Sequence, residues 1–198
     1  MVKAVLFDFG GVLVRTHGQE LRRKWEINLG LNEGELSTLI FESDVAHQAT
    51  LGILPERVIW EHVSEVLKLG DESLEQLKKD FWQNDQLDMQ LVNYLREIRP
   101  PYRTGILSNA WSNGRQLFTE IYHLNEVVDE MIISAEIGMA KPDARIYHYA
   151  AEKLGVNPEE AIFIDDMPRN VTGAVNAGMV GIHFVSTSQL LDILSHVL

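Results

Sequence analysis

Four short stretches of this chain carry residue types that do chemistry, and each stands where a strand ends or a helix begins. Asp8 follows Ala4-Val5-Leu6-Phe7 and precedes Phe9-Gly10-Gly11. Ser108-Asn109 follows Gly105-Ile106-Leu107, Lys141-Pro142 lies just before a helical pattern, and Asp165-Asp166 follows Ala161 to Ile164. Asp8, Asp165 and Asp166 offer hard oxygen ligands of the kind Mg²⁺ takes, usually one or two carboxylates plus waters. Lys141 adds a cation for a transferring anionic group. Ser108 and the amides around Gly10, Gly11 and Asn109 can donate hydrogen bonds to phosphate oxygens. A carboxylate and a phosphoryl group are both negative, so they approach only where cations neutralise the site. Attack by Asp8 on a phosphate ester would then give an aspartyl phosphate, a form of covalent catalysis.

Taken singly, each stretch has a plainer reading. An aspartate at a strand end is often a helix or turn cap. Ser108-Asn109 reads equally as a loop cap, Lys141 as a solvated lysine, and Asp165-Asp166 as a helix N-terminus with favourable dipole placement. The seven histidines are scattered without ligand spacing. Trp25, Trp60, Trp82 and Trp111 read as packing residues rather than a substrate platform. The chemical reading rests on the order of the four stretches together.

Residues so far apart meet only if the fold brings them to one edge. Apolar runs without alternation mark buried strands at Ala4 to Phe7, Thr104 to Leu107, Met131 to Ile133, Ala161 to Ile164 and Val180 to Phe184, as a parallel sheet covered on both faces requires. Helical patterns separate most of them. Asp88 to Ile98 carries apolar residues at helical spacing, Pro142 to Leu154 opens on proline and closes before Gly155, and Asn170 to Ala177 ends at Gly178. This alternation predicts right-handed βαβ units: an α/β fold with a doubly wound, Rossmann-like parallel sheet. In such sheets the carboxyl ends of the strands line one crevice, where ligands bind.

The stretch from about Arg15 to Asp85 differs. It has helix-period segments such as Val58 to Leu69 and Leu74 to Trp82, is punctuated by Gly30, Gly34, Gly52, Pro55 and Gly70, and shows no strand pattern. The expected organisation is a core of residues 1–14 and 86–198, with residues 15–85 inserted as a helical cap over the strand ends.

Composition narrows the partners. The chain has 198 residues, a net charge of −12 and no cysteine. That charge repels a nucleic-acid backbone, so nucleic acid is not an expected partner. Without cysteine there is no disulfide, thiol catalysis or thiolate-held zinc. The N-terminal apolar run ends at a carboxylate and is too short for a signal peptide, and no segment approaches the roughly 20 apolar residues of a membrane span. A cytoplasmic protein without a membrane partner is the expectation.

The ordered set FDFGGVL, LSNA, KPDARIY and FIDDMPRNVTGAVNAG resembles the haloacid dehalogenase-like hydrolase superfamily, in its helical-cap branch. The resemblance implies that Asp8 is the nucleophile and that Ser108 and Lys141 bind and orient the phosphoryl group. It implies Mg²⁺ held by Asp8, the Gly10 carbonyl and Asp166, with Asp165 acting directly, through water or through Lys141, and with Asn170 supporting the last loop. The implied activity is hydrolysis of a small phosphorylated metabolite.

Gly10 departs from the pattern. Most phosphatases of this family have a second aspartate there as general acid and base, and such proton transfer is worth roughly 10²–10⁴ in rate. The nearest resemblance is to bacterial α-glucose-1-phosphate phosphatases, which also carry glycine. Two rivals share the fold: a metal-independent 2-haloacid dehalogenase and a catalytically weak binding or regulatory protein. Dehalogenases usually show Ser-Asn where this chain has Asp165-Asp166, and two extra acids beside Asp8 without a cation are electrostatically costly. Asp8-Phe9-Gly10 also spells a protein-kinase metal motif, but nothing before it leaves room for the rest of a kinase. Arg15, His17 and His47 are candidates to contact the leaving group.

Overall fold

The computed structural model describes all 198 residues. The chain opens with β1 (Ala4–Phe7) and leaves the sheet through a short strand β2 (Val14–Thr16). Five helices follow: α1 (Glu20–Leu29), α2 (Glu35–Glu42), α3 (Asp44–Thr50), α4 (Arg57–Leu67) and α5 (Asp71–Trp82). Strand β3 (Asp85–Leu87) returns the chain to α6 (Met89–Glu97) and β4 (Arg103–Ser108). Next come α7 (Gly114–Gln116), a π turn over Leu117–Ile121, β5 (Glu130–Ile133), α8 (Ser134–Ile137) and α9 (Ala144–Leu154). The chain closes with β6 (Ala161–Asp165), α10 (Pro168–Asn176), β7 (Val180–His183) and α11 (Thr187–Val197).

Five strands form one parallel sheet in the order β5-β4-β1-β6-β7. This is the doubly wound α/β architecture that the apolar runs predict. Successive side chains of a strand point to opposite faces, and here both faces are buried. Val5 and Phe7 join one core with Leu91, Leu95, Phe118, Leu190 and Leu194, beneath α6 and α11. Ala4 and Leu6 join a second core with Ile146, Tyr147, Ala150 and Ala174, beneath α9 and α10. Strand β1 lies between β4 and β6, where the strand order reverses. Chain segments diverge there and open a crevice at the strand ends.

The five helices between β2 and β3 bury a separate cluster around Leu36, Ile40, Ile59, Trp60, Leu77 and Phe81. Helix α4 shows why: Ile59, Trp60 and Val63 fall at helical spacing on its buried face. Strands β2 and β3, which the periodicity does not anticipate, pair as an antiparallel ribbon with Val14 opposite Leu87 and Thr16 opposite Asp85. The chain thus enters and leaves the helical insert through adjacent strands. Helix α9 begins two residues later than the expected Pro142, because Asp143 is its extended N-cap and accepts from the Arg145 N–H at 2.9 Å. No helix is long and apolar enough to cross a membrane.

Candidate active site

Asp8 directly follows β1, and its N–H donates to the Ile164 carbonyl of β6 at 2.8 Å. That bond anchors the residue at the sheet's centre. The residue is almost wholly buried, 7% exposed. Oδ1 is occupied twice: it accepts from the Phe9 N–H at 2.7 Å and pairs with Lys141 Nζ at 2.8 Å. The second oxygen, Oδ2, is therefore the one Asp8 has to offer a ligand.

Lys141 reaches Asp8 from the segment before α9. Its ammonium also donates to Asp165 Oδ2 at 2.7 Å and lies 5.2 Å from the centre of the Phe163 ring. Its main chain is fixed from β4: Asn109 Oδ1 accepts from the Lys141 N–H at 2.8 Å, and Asn109 Nδ2 donates to the Lys141 carbonyl at 2.9 Å. The Asn109 carboxamide is thus spent on Lys141, and what Asn109 can give a phosphate is its main-chain N–H. Ser108, the last residue of β4, is 4% exposed.

Asp165 is fully buried and saturated with donors. Oδ1 accepts from the Met167 N–H at 2.8 Å, Asn170 Nδ2 lies 3.1 Å from each carboxylate oxygen, and Lys141 takes Oδ2. Asn170 is itself tied down, because the buried Tyr147 hydroxyl donates to its carbonyl at 2.7 Å. Asp166 is more open and lies against Gly11. A Cβ on Gly11 would fall 2.3 Å from Asp166 Oδ2, and Gly11 has φ +79°, so a side chain there would push Asp166 aside and strain the backbone. Gly10 is the opposite case: it is exposed, outside the left-handed region, and a Cβ would meet nothing within 4 Å.

Oxygens of Asp8, Asp165 and Asp166 all lie within 4.8 Å of one another. One ammonium faces three carboxylates. Burial raises the Asp8 carboxyl to about 7, and the Asp165 charge adds to that while Lys141 opposes it. Burial and Asp165 also raise Asp166. A divalent cation would relieve this excess, and the donors are the hard oxygens Mg²⁺ prefers.

Residues 2–178 match the family model of the haloacid dehalogenase-like hydrolases. The chain belongs to this family. Among haloacid dehalogenase-like relatives, it is 26% identical to the D-ribitol-5-phosphate phosphatase of Bacteroides thetaiotaomicron, with 86% of each chain covered. It is 25% identical to (S)-2-haloacid dehalogenase 4A of Burkholderia cepacia, covering 89% of this chain and 80% of that one. Its fold is shared with a haloacid dehalogenase family enzyme of B. thetaiotaomicron solved with magnesium and inorganic phosphate, at TM-score 0.78 and 21% identity, covering 96% of this chain and 99% of the other.

All four stretches singled out in this haloacid dehalogenase-like sequence converge on one crevice. Arg15 does not join them: it pairs with Asp88, donates to Thr187 Oγ1 at 3.0 Å and lies over the Phe184 ring. His17 and His47 are exposed, and neither is hydrogen-bonded to the acids. Tyr147 and Phe163 escape sequence reasoning. A tyrosine on the buried face of a helix does signal a hydroxyl in need of a partner, but not which one.

Proposed function

We propose that the chain is a magnesium-dependent phosphatase of a small phosphorylated metabolite, acting through an aspartyl phosphate on Asp8. The observation that carries this reading is the charge balance of the site: three clustered carboxylates with Lys141 as the ammonium bonded among them. A haloacid site has no use for that excess, whereas phosphoryl transfer with a bound cation does.

Asp8, the Gly10 carbonyl and Asp166 would hold Mg²⁺, which when bound neutralises charge on the phosphoryl oxygens. Asp165 has its oxygens filled by Lys141, Asn170 and Met167, so it serves by holding Lys141 rather than as a direct ligand. Lys141 fixes Asp8 Oδ1 and screens the approaching phosphate. One Asp8 carboxylate oxygen attacks phosphorus, the bond from phosphorus to the ester oxygen breaks, and the alkoxide leaves with a proton drawn from solvent. Water then attacks the aspartyl phosphate at phosphorus. Inorganic phosphate departs, Asp8 is regenerated, and the proton lost by the water restores the balance. Ser108 and the main-chain N–H groups of Gly10 and Asn109 bind phosphoryl oxygens; the Gly11 N–H, expected from the sequence to join them, is instead donated to the Val14 carbonyl at 2.9 Å. The helical insert serves as the cap that covers the crevice. A sugar phosphate is the first substrate class to assay.

The test is phosphate release from a panel of phosphorylated metabolites with and without magnesium. Turnover that needs magnesium supports the reading, and its absence across the panel overturns it. The dehalogenase relative motivates a second assay. Halide release from 2-chloropropionate in metal-free buffer would assign the same Asp8 to carbon rather than phosphorus.

A further inference from the structure

The four tryptophans divide into two pairs. Trp60 is 3% exposed and donates its indole N–H to Glu56, and Trp25 donates to Asp80 Oδ2 at 2.9 Å. These two pack the insert, as the sequence leads one to expect. Trp82 and Trp111 donate to no protein atom, and Trp82 is 39% exposed. Both belong to an aromatic cluster with Phe41, which is 41% exposed, while Trp111 is partly buried against the apolar cluster of the insert. The Phe41 ring stacks on Trp111 at 5.8 Å with 26° between planes, and meets Trp82 edge-on at 5.8 Å. Trp82 and Trp111 meet edge-on at 6.4 Å, and buried Phe81 backs the group at 4.9 Å from Trp82.

Exposed apolar residues are normally scattered singly, and a cluster of them marks a binding surface. This one adjoins the site. Trp111 stands three residues beyond Ser108, so at most about 10 Å of chain separates it from the end of β4. Strand β4 pairs directly with β1, whose end carries Asp8. Phe41 and Trp82 come from the opposite side, at the ends of α2 and α5 in the insert. The same junction is tied by the Glu56 N–H donating to Ser112 Oγ at 3.2 Å.

We propose that Phe41, Trp82 and Trp111 form an aromatic wall selecting phosphate esters whose leaving group carries a flat ring. This rests on the phosphatase reading and adds a substrate class to it. A flat ring stacks on indole or phenyl faces, and the two unpartnered indole N–H groups can donate to oxygens on that ring. The nearest cation, Arg22, lies 4.0 Å from the centre of the Phe81 ring behind the wall and is paired with Asp85 at 3.1 Å, which fits a neutral leaving group rather than a second anionic one.

The three rings also join insert to core, and the test must separate selection from mere clamping. Phenylphosphonate and methylphosphonate share the phosphoryl head and differ by the ring. Their affinities are measured by calorimetry with magnesium for the wild type, Trp111→Leu and Phe41→Leu. The wild type should bind phenylphosphonate about tenfold or more tightly than methylphosphonate, and each leucine variant should lose most of that ratio. Wild type without a preference, or without binding to either, overturns the wall. So does an equal loss of both ligands in the variants, the signature of a clamp. Phe41→Leu stands in if Trp111→Leu fails to fold. Wild type that binds phenylphosphonate preferentially yet releases no phosphate from phenyl phosphate would sink the reaction while leaving the wall intact.

Discussion

Asn109 and Lys141 are joined main chain to side chain by a reciprocal pair of hydrogen bonds, at 2.8 and 2.9 Å, across 32 residues of sequence. The carboxamide reads the Lys141 backbone as a neighbouring strand would, and so sets where the ammonium emerges. Asn109→Ala removes both bonds and leaves a main-chain donor and acceptor without partners. Stability should fall by about 1–3 kcal/mol, and kcat should fall by more than tenfold because a misplaced cation costs transition-state stabilisation. Denaturant unfolding and steady-state kinetics together check this. A stability loss with kcat intact would make the pair purely structural.

Asp8→Asn should abolish turnover in a protein that still folds, because an amide is a poor nucleophile. Circular dichroism and phosphate release are the two measurements. Retained turnover would point to direct attack by a metal-activated water.

Asp166→Ala should weaken magnesium binding at least tenfold by calorimetry, since it removes one charged ligand. Asp165→Asn should affect turnover more than magnesium affinity, because its oxygens hold Lys141 and the loop. Equal magnesium affinity in wild type and Asp166→Ala would reduce the acids to caps.

Gly10→Asp should fold normally, since the position is open and its backbone is not left-handed. The added carboxyl can supply the proton that the leaving group lacks, a contribution of roughly 10²–10⁴ where protonation limits the rate. The gain in kcat/KM should therefore be largest for alkyl phosphates with poor leaving groups and smallest for aryl phosphates. A wild type indifferent to leaving-group pKa in a chemistry-limited step would mean that another group already donates the proton.

Asp129 links stability to pH. Burial pushes its carboxyl up, but the Thr104 N–H at 2.8 Å and the Arg99 and Arg103 guanidinium groups at 2.9 and 3.3 Å outweigh that and hold it below the ordinary value. A depressed carboxyl stabilises the fold above its unfolded pKa, and the contribution is lost as pH falls through the folded pKa. Asp129→Asn should cost about 1–3 kcal/mol at pH 7. The gap to wild type should close as the pH drops below about 4. A gap as large in acid as at pH 7 would show that shape rather than charge is at work.

How much of this was legible depends on whether a feature is local. Ala4 to Phe7 and Ala161 to Ile164 read as buried strands because helices cover both faces of the sheet, and such burial writes an unbroken apolar run. Asp8, Ser108 and Asp165 were legible as candidates because strand ends of a parallel sheet share one edge, and Lys141 because it stands just before a helix. The ribbon of β2 and β3 was not, since three residues carry no measurable period. Nor was the duty of the Asn109 side chain, which depends on a partner 32 residues away. Trp60 and Trp82 look alike in sequence. Only the rotation of α4 and α5 against their neighbours decides that one is buried and the other is 39% exposed.

The central place of β1 has a consequence for synthesis. Ala4 pairs with Arg103 on one side and Ala161 on the other, so β1, which leaves the ribosome before β4 and β6, waits for both of its neighbours. Meanwhile α1 to α5 form a contiguous stretch with their own apolar cluster. The insert can collapse while Ala4-Val5-Leu6-Phe7 still hangs unpaired. Vectorial folding would then run outside-in, with the accessory helices settled first and the catalytic sheet closing only once β6 has emerged. That interval exposes a bare apolar strand, the kind of segment that chaperones capture and that aggregates when they do not.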